Sequence, residues 1–391
     1  MQYKLLVSKL LIDGTGNPPI EAGAILIRGP RIEAVGDRSE FEVNSACDII
    51  DCSDQVVMPG LIDAHNHLSL DSSLDNYLEH MQDPLPVLTI RAVKNMYEDL
   101  KAGITTVRCM GDRGFLDIEC KRAVVEDYIT GPRIITAGKG IRSSAGHGYV
   151  GLPHDGIESV RAAVRENVQQ GADWIKFYVT GTLPENNVPS FFSREEIELI
   201  VSEAKRLGKK TAVHCIGGIG LKWCLELEVD TIEHGFFMTA DDIETLKASR
   251  SHLVMTPSFY LSDERINQLP ARTVTHHKEA QRAAAKCMSE VISAGLDFAV
   301  GTDGVHGKNG LVREIELLKE LGATEEKILE SIGRYGAEVC DVNDITGTIE
   351  PGKYADIIGV SESPLERISA LRDIKTVVAR GNLLRKEAYL A

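Results

Sequence analysis

The 391-residue chain exceeds one ordinary domain and is long enough for a large barrel with a smaller partner. Its 43% hydrophobic and 26% charged residues suit a soluble globular enzyme, and no apolar run is long enough to span a membrane. A net charge of −15 leaves no basic surplus to neutralise phosphates, which argues against a nucleic-acid binder.

The first apolar stretch, Tyr3–Ile12, is interrupted by Lys9, and no small-residue cleavage site follows Asp13. It reads as a strand rather than a signal peptide. Ala24–Arg28, Arg31–Val35 and Cys47–Cys52 read as further strands, punctuated by Gly14, Gly16, Gly29-Pro30 and Gly36. From Val56 short apolar strands alternate with amphipathic segments. The predicted strands are Val56–His65, Thr105–Cys109, Arg133–Thr136, Trp174–Thr180, Thr211–Cys215, Thr231–His234, Leu253–Thr256 and Phe298–Asp303. Helical periodicity covers Pro86–Ala102, Ile157–Gln170, Arg194–Leu207 and Thr275–Ala294. Eight strands alternating with helices predict an α/β fold, a (β/α)8 TIM barrel over 58–345. Strand-and-turn texture returns from Thr346, so the expected second domain is a small β-sandwich formed by both termini, 1–57 and 346–391. The eight scattered cysteines include no C-x-x-C pair, which points to reduced thiols in a cytoplasmic protein.

In Val56–His65 the strand runs into His65-Asn-His67, and residues two apart in a strand project the same way. Catalytic groups of a (β/α)8 barrel gather at the carboxyl ends of its strands. Lys176, His214, His234 and Asp303 fall at four further strand ends, 38, 20 and 69 residues apart in turn. Those spacings fit strand–helix units of roughly 30 residues, the last being two units. Alone, each of these residues has a plain structural explanation, such as a snorkelling lysine or an aspartate turn. Together, four histidines, a lysine and an aspartate suit two divalent cations, zinc being the expected metal. Tyr178, Tyr260, Arg142, Tyr149, His154 and His306 lie near strand ends where substrate contacts belong. Gly146-His-Gly148-Tyr-Val-Gly151 lacks an immediately following helix, so it is no dinucleotide fingerprint. Gly347–Lys353 lacks the Ser/Thr of a phosphate loop, and no Gly-x-Ser-x-Gly elbow occurs.

Pro-Gly-Leu-Ile-Asp-Ala-His-Asn-His, the fourth-strand Ile-Lys, Val-His-Cys, Ile-Glu-His-Gly, Gly-Thr-Asp-Gly and the tail Gly-Thr-Ile-Glu-Pro-Gly-Lys-Tyr-Ala-Asp-Ile resemble the amidohydrolase superfamily. Ala-Gly-Ile-Thr-Thr-Val-Arg108, Gly-Pro-Arg-Ile-Ile-Thr-Ala-Gly and Gly-His147-Gly are similar to its imidazolonepropionase-related, prolidase-like branch. The resemblance implies that His65, His67 and Asp303 hold a buried metal and His214 and His234 an exposed one, bridged by a carboxylated Lys176. It implies hydrolysis of an amide in a dipeptide, N-acyl amino acid or cyclic amide by a metal-bridging hydroxide. Asp303 would shuttle the proton and His147 assist at the carbonyl. One departure stands out: Ile216 occupies the place of a tyrosine that holds the substrate carboxylate in prolidase-like members. The alternatives are a mononuclear deaminase of an aminated heterocycle, although no glutamate follows His214, and a catalytically inactive scaffold. A small-molecule substrate and a homo-oligomer are expected.

Overall fold

The computed structural model describes residues 3–42, 47–72, 77–148, 152–182, 188–263 and 271–384. Both terminal segments enter one hydrogen-bonded sheet. It consists of β1 (Tyr3–Leu11), β2 (Ile20–Glu21), β3 (Gly23–Arg28), β4 (Arg31–Asp37), β5 (Cys47–Pro59), β14 (Ile357–Val360), β15 (Ile374–Ala379) and β16 (Asn382–Leu383). Its order is β16-β15-β14-β5-β1-β3-β4, with β2 alongside β1. β5 is the seam between the two ends of the chain, parallel to β1 on one side and antiparallel to β14 on the other. Leu6, Leu11, Ile25, Ile27, Val57, Ile357 and Val378 give this sheet an apolar cluster of its own.

Between the terminal segments lie two parallel sheets. One holds β6 (Leu61–Asn66), β7 (Ile104–Cys109) and β8 (Arg133–Ile135). The other holds β9 (Trp174–Tyr178), β10 (Lys210–Cys215), β11 (Thr231–His234), β12 (His252–Met255) and β13 (Phe298–Val300). Helices such as Leu85–Lys101, Ile157–Gln170, Arg194–Arg206 and Ala271–Ser293 connect them, within a few residues of the sequence-based bounds. Every residue of β6, β7, β9 and β11 is buried, as expected of parallel strands covered on both faces.

Hydrogen bonds join the two sheets at both edges. Past β8, the Ile141 N–H donates to the Lys176 carbonyl (2.8 Å), and the Tyr178 N–H donates to that of Ile141 (3.0 Å). Past β13, the Thr302 and Asp303 N–H groups both donate to the His65 carbonyl (3.0 and 2.9 Å). Gly301 permits that second approach, since a Cβ there would collide with His65.

The single strand expected over Val56–His65 is two. Gly60 separates β5 from β6, and the pairing partner changes there. Pro59 lies opposite Ile357 of the terminal sheet, whereas Leu61 lies opposite Ile104. A Cβ at Gly60 would run into Thr105.

Candidate metal centre

The parallel strands deliver His65 from β6, Lys176 and Tyr178 from β9, His214 from β10 and His234 from β11 to one end of the sheets. His67 and Asp303 follow directly after β6 and β13. With His147, Thr182, Ile216, Phe236 and Phe259 they line one cavity. Asp303 Oδ1 stands 3.5 Å from His65 Nε2 and 3.4 Å from His67 Nε2. Adjacent ring centroids lie 4.8 Å apart for His65 and His234 and 4.5 Å for His214 and His234. Potential ligand atoms of His65, His234 and Asp303 fall within 4.8 Å of one another. Lys176 Nζ is 3.5 Å from His65 Nε2 and 4.9 Å from the centre of the Tyr178 ring.

One nitrogen of each of the four imidazoles is already engaged. His65 Nδ1 donates to Glu233 Oε2 (2.6 Å), His67 Nδ1 to the Gly111 carbonyl (2.6 Å) and His214 Nε2 to the Gly181 carbonyl (3.1 Å). His234 Nδ1 is paired with Thr256 Oγ1 (2.7 Å). An engaged N–H fixes the tautomer and leaves the other nitrogen with its electron pair. Burial, reinforced by Lys176, lowers His65 to about 4. Burial and neighbouring histidines hold His214 and His234 well below the usual imidazole range. Neutral imidazoles are the form that binds a metal.

Asp303 supplies the charge. Burial opposes its ionisation, but the His67 contact and the surrounding imidazoles hold it well below the usual carboxylate range. Burial also brings Lys176 down to about 8, so an appreciable share of its amine is neutral near physiological pH. Neutral nitrogen donors beside a carboxylate form a donor set that fits a divalent cation such as zinc.

Two candidate ligands carry backbone strain. Asp303 has φ 51° and His234 φ 80°, both in the left-handed region. Around His234 the Gly235 N–H donates to the Glu233 carbonyl (3.2 Å), closing a three-residue turn of the rarer, strained γ form. Such strain persists only where the surroundings over-determine it.

Sequence reasoning missed the carboxylates behind the ligands. Glu233 receives Nη2 of Arg108 (2.8 Å) as well as His65, and this pair is wholly buried. Arg108 also donates to the Ala64 carbonyl (2.7 Å) and Thr231 Oγ1 (3.2 Å). Asp63 accepts from Asn66 Nδ2 (2.8 Å), Thr302 Oγ1 (2.7 Å) and the Thr302 N–H (3.2 Å), tying β6 to the segment that bears Asp303. The available signal was strand alternation, which puts Thr231 and Glu233 on one face of β11.

The proposed substrate contacts divide. Tyr178 and His147 line the cavity, and their ring centroids lie 5.7 Å apart. Burial lowers His147 to about 4 and raises the Tyr178 hydroxyl, which keeps it protonated. Tyr260, Arg142 and His306 are not among the lining residues. Tyr260 packs edge-on behind Phe236, at 4.6 Å between ring centroids. The Arg142 guanidinium reaches the Ser143 carbonyl (3.4 Å). His306 is held by Asp99 Oδ2 (2.8 Å) and the Leu70 carbonyl (2.7 Å). His154 pairs with Ser159 (3.2 Å), and Tyr149 lies outside the described residues.

Ochratoxinase of Aspergillus niger is 26% identical over 421 aligned residues, covering 95% of this chain and 84% of that protein. Imidazolonepropionase of Fusobacterium nucleatum is 25% identical over 383, covering 86% and 84%. The crystal structure of a Xaa-Pro dipeptidase with bound methionine in the active site matches with a TM-score of 0.88. It is 30% identical, over 98% of this chain and 100% of that one. Residues 56–384 match the amidohydrolase family, whose members are generally metal-dependent. The chain therefore belongs to the amidohydrolase family and is a hydrolase acting on carbon–nitrogen bonds.

Proposed function

We propose that this enzyme is a binuclear amidohydrolase that cleaves an amide bond of a small molecule, such as a dipeptide, N-acyl amino acid or cyclic amide. In this reading the two parallel sheets close into a (β/α)8 barrel over 58–345, and the terminal sheet coils into a β-sandwich of 1–57 and 346–391. The unpaired cysteines favour a cytoplasmic location.

One observation carries the binuclear reading: a wholly buried lysine stands among four histidines and an aspartate, with Nζ 3.5 Å from His65 Nε2. An ammonium there repels cations, whereas the neutral amine favoured by burial reacts with carbon dioxide to give an anionic carbamate with two oxygen donors. His65, His67 and Asp303 would hold one ion and His214 and His234 the other, with carboxylated Lys176 between them. The chemistry such a pair of divalent ions supplies is activation of water at neutral pH and polarisation of the amide carbonyl. Asp303, ionised at rest, takes the proton of the attacking water on its carboxylate and passes it to the leaving nitrogen. His147 donates a hydrogen bond to the carbonyl oxygen, and Tyr178, kept protonated, can donate from the neighbouring wall. Glu233 and the Gly111 carbonyl hold His65 and His67 in a fixed tautomer throughout.

The test couples a metal count with a screen of dipeptides, N-acyl amino acids, cyclic amides and carbamates. About two metal ions per chain and amide hydrolysis are expected. After chelation, zinc should restore activity only when bicarbonate is present, and Lys176→Ala should lose both the second ion and the bicarbonate dependence. About one ion per chain, with ammonia released from aminated rings, would establish the deaminase instead.

A further inference from the structure

We propose that the cavity is built for an amide carrying an aromatic group next to the scissile bond, with Phe236 and Phe259 as its specificity wall and Glu314 as the residue that positions it. The inference rests on the amide-hydrolase reading above and deepens it.

Three rings form a tier running outward from the metal centre. Phe236 lies against His234 with centroids 5.4 Å apart and planes within 25°. Phe259 continues the tier against Phe236 at 6.0 Å and 21°. Both phenylalanines line the same cavity as the candidate ligands, and Ile216 adds a further apolar side chain. Ile216 and Phe236 are buried, while Phe259 is partly exposed and forms the outer rung. A flat apolar group placed beside these rings gains area burial and offset or edge-on ring contacts. A bare methyl group gains little from either.

The wall is fixed from behind. Tyr260 meets Phe236, Phe237 and Phe259 edge-on, at centroid distances of 4.6, 5.3 and 5.0 Å. Phe259 sits in the short helix Ser258–Leu261, whose first residue is held by a buried carboxyl group. Glu314, in the helix Leu311–Glu320, accepts the Ser258 backbone N–H (2.7 Å) and also its hydroxyl. Burial raises Glu314 to about 8 despite these hydrogen bonds, so its carboxyl group is largely protonated near neutral pH, and the hydrolytic reading gives it no other task. Its effect is to hold the segment bearing Phe259, which lowers the entropy lost when a ring docks.

The experiment compares kcat/KM within two matched pairs, using the metal-loaded enzyme. On the carbonyl side the pair is N-acetylglycine and N-phenylacetylglycine; on the nitrogen side it is N-methylacetamide and N-benzylacetamide. The aromatic member of at least one pair should be preferred by about tenfold or more, the scale on which apolar pockets discriminate. Phe259→Ala should shrink that ratio towards one, and Phe259→Leu, which keeps the volume but not the ring, should give an intermediate value. Glu314→Ala should raise KM for the aromatic member more than it lowers kcat, with metal content retained, and Glu314→Gln, which keeps an acceptor for the Ser258 N–H, should restore it. Hydrolysis of both pairs with ratios near one would overturn the proposal, as would an aromatic preference that survives both Phe259 variants. A protein that hydrolyses none of the four but cleaves a dipeptide or cyclic amide would overturn this inference alone, and one that cleaves no amide in either screen would overturn the amide-hydrolase reading with it.

Discussion

Glu233 carries two obligations on one carboxylate: it fixes the His65 tautomer through Nδ1 and neutralises the wholly buried Arg108 guanidinium. Burial pushes its acidity the unfavourable way, and Arg108 and His65 more than reverse this, so it stays ionised. Glu233→Gln would leave the arginine charge without a counter-charge. Removing one partner of a buried pair costs about 3–5 kcal/mol. A carboxylate behind a metal-binding histidine is worth about 10–100-fold in metal affinity or activity. We therefore expect the variant to melt markedly lower and to lose zinc to a competing chelator at lower concentration. Unchanged melting with unchanged zinc retention would show that Arg108 and His65 find other partners.

At the scale of elements, Asp99 links the helix Leu85–Lys101 to two ligand-bearing segments. It accepts from His306 Nδ1 (2.8 Å) and the Gly307 N–H (2.8 Å), just past Asp303, and lies 3.4 Å from Asn66 Nδ2, between His65 and His67. Burial alone would lower His306, but Asp99 and the Leu70 carbonyl hold it up to about 9. Because the folded value exceeds the unfolded one of about 6.5, the stabilisation is complete below pH 6.5 and is lost as pH rises through 9. Stability of the wild type should thus fall by a few kcal/mol at most between pH 6.5 and 10, and Asp99→Asn should flatten that fall. Chemical denaturation across this range checks it; parallel curves for the two proteins would remove the Asp99–His306 pair as the cause.

The same elements show what could be read in advance. Buried parallel strands are apolar runs, so β7, β9, β10 and β11 stood out with bounds within two residues of those observed. Strand-end donors were legible because alternation puts His65 and His67 on one side. The break at Gly60 was not, since it arises from a change of pairing partner rather than from local composition. Nor could His306 be assigned to Asp99, 207 residues earlier, or Glu233 to Arg108, 125 residues earlier. Those contacts exist only once β6, β7, β11 and the helix Leu85–Lys101 are assembled.

For the whole molecule, the terminal sheet is fastened to the parallel sheets by charge as well as by chain. The Tyr354 ring lies between the guanidinium of Arg31 from β4 and that of Arg133 from β8, each 4.3 Å from its centre. Arg133 also pairs with the buried Asp356 (3.0 Å). Cation–ring contacts of this kind contribute about 0.5–2 kcal/mol each, and the buried ion pair directs the register of the two parts.

The position of β5 has a consequence in time. Its partner β1 leaves the ribosome before it, but its other partner, β14, is made only after nearly all of the catalytic portion. During that interval the Val56–Pro59 edge is an open, apolar pairing surface directly joined to the strand that carries His65 and leads into His67. Open edges of this kind recruit other chains. A chain ending at Thr346 should therefore accumulate as aggregate, and supplying residues 347–391 as a separate peptide during refolding should restore soluble, metal-binding protein. If the truncated chain stays soluble and monomeric by light scattering, the exposed edge of β5 is not the hazard in its synthesis.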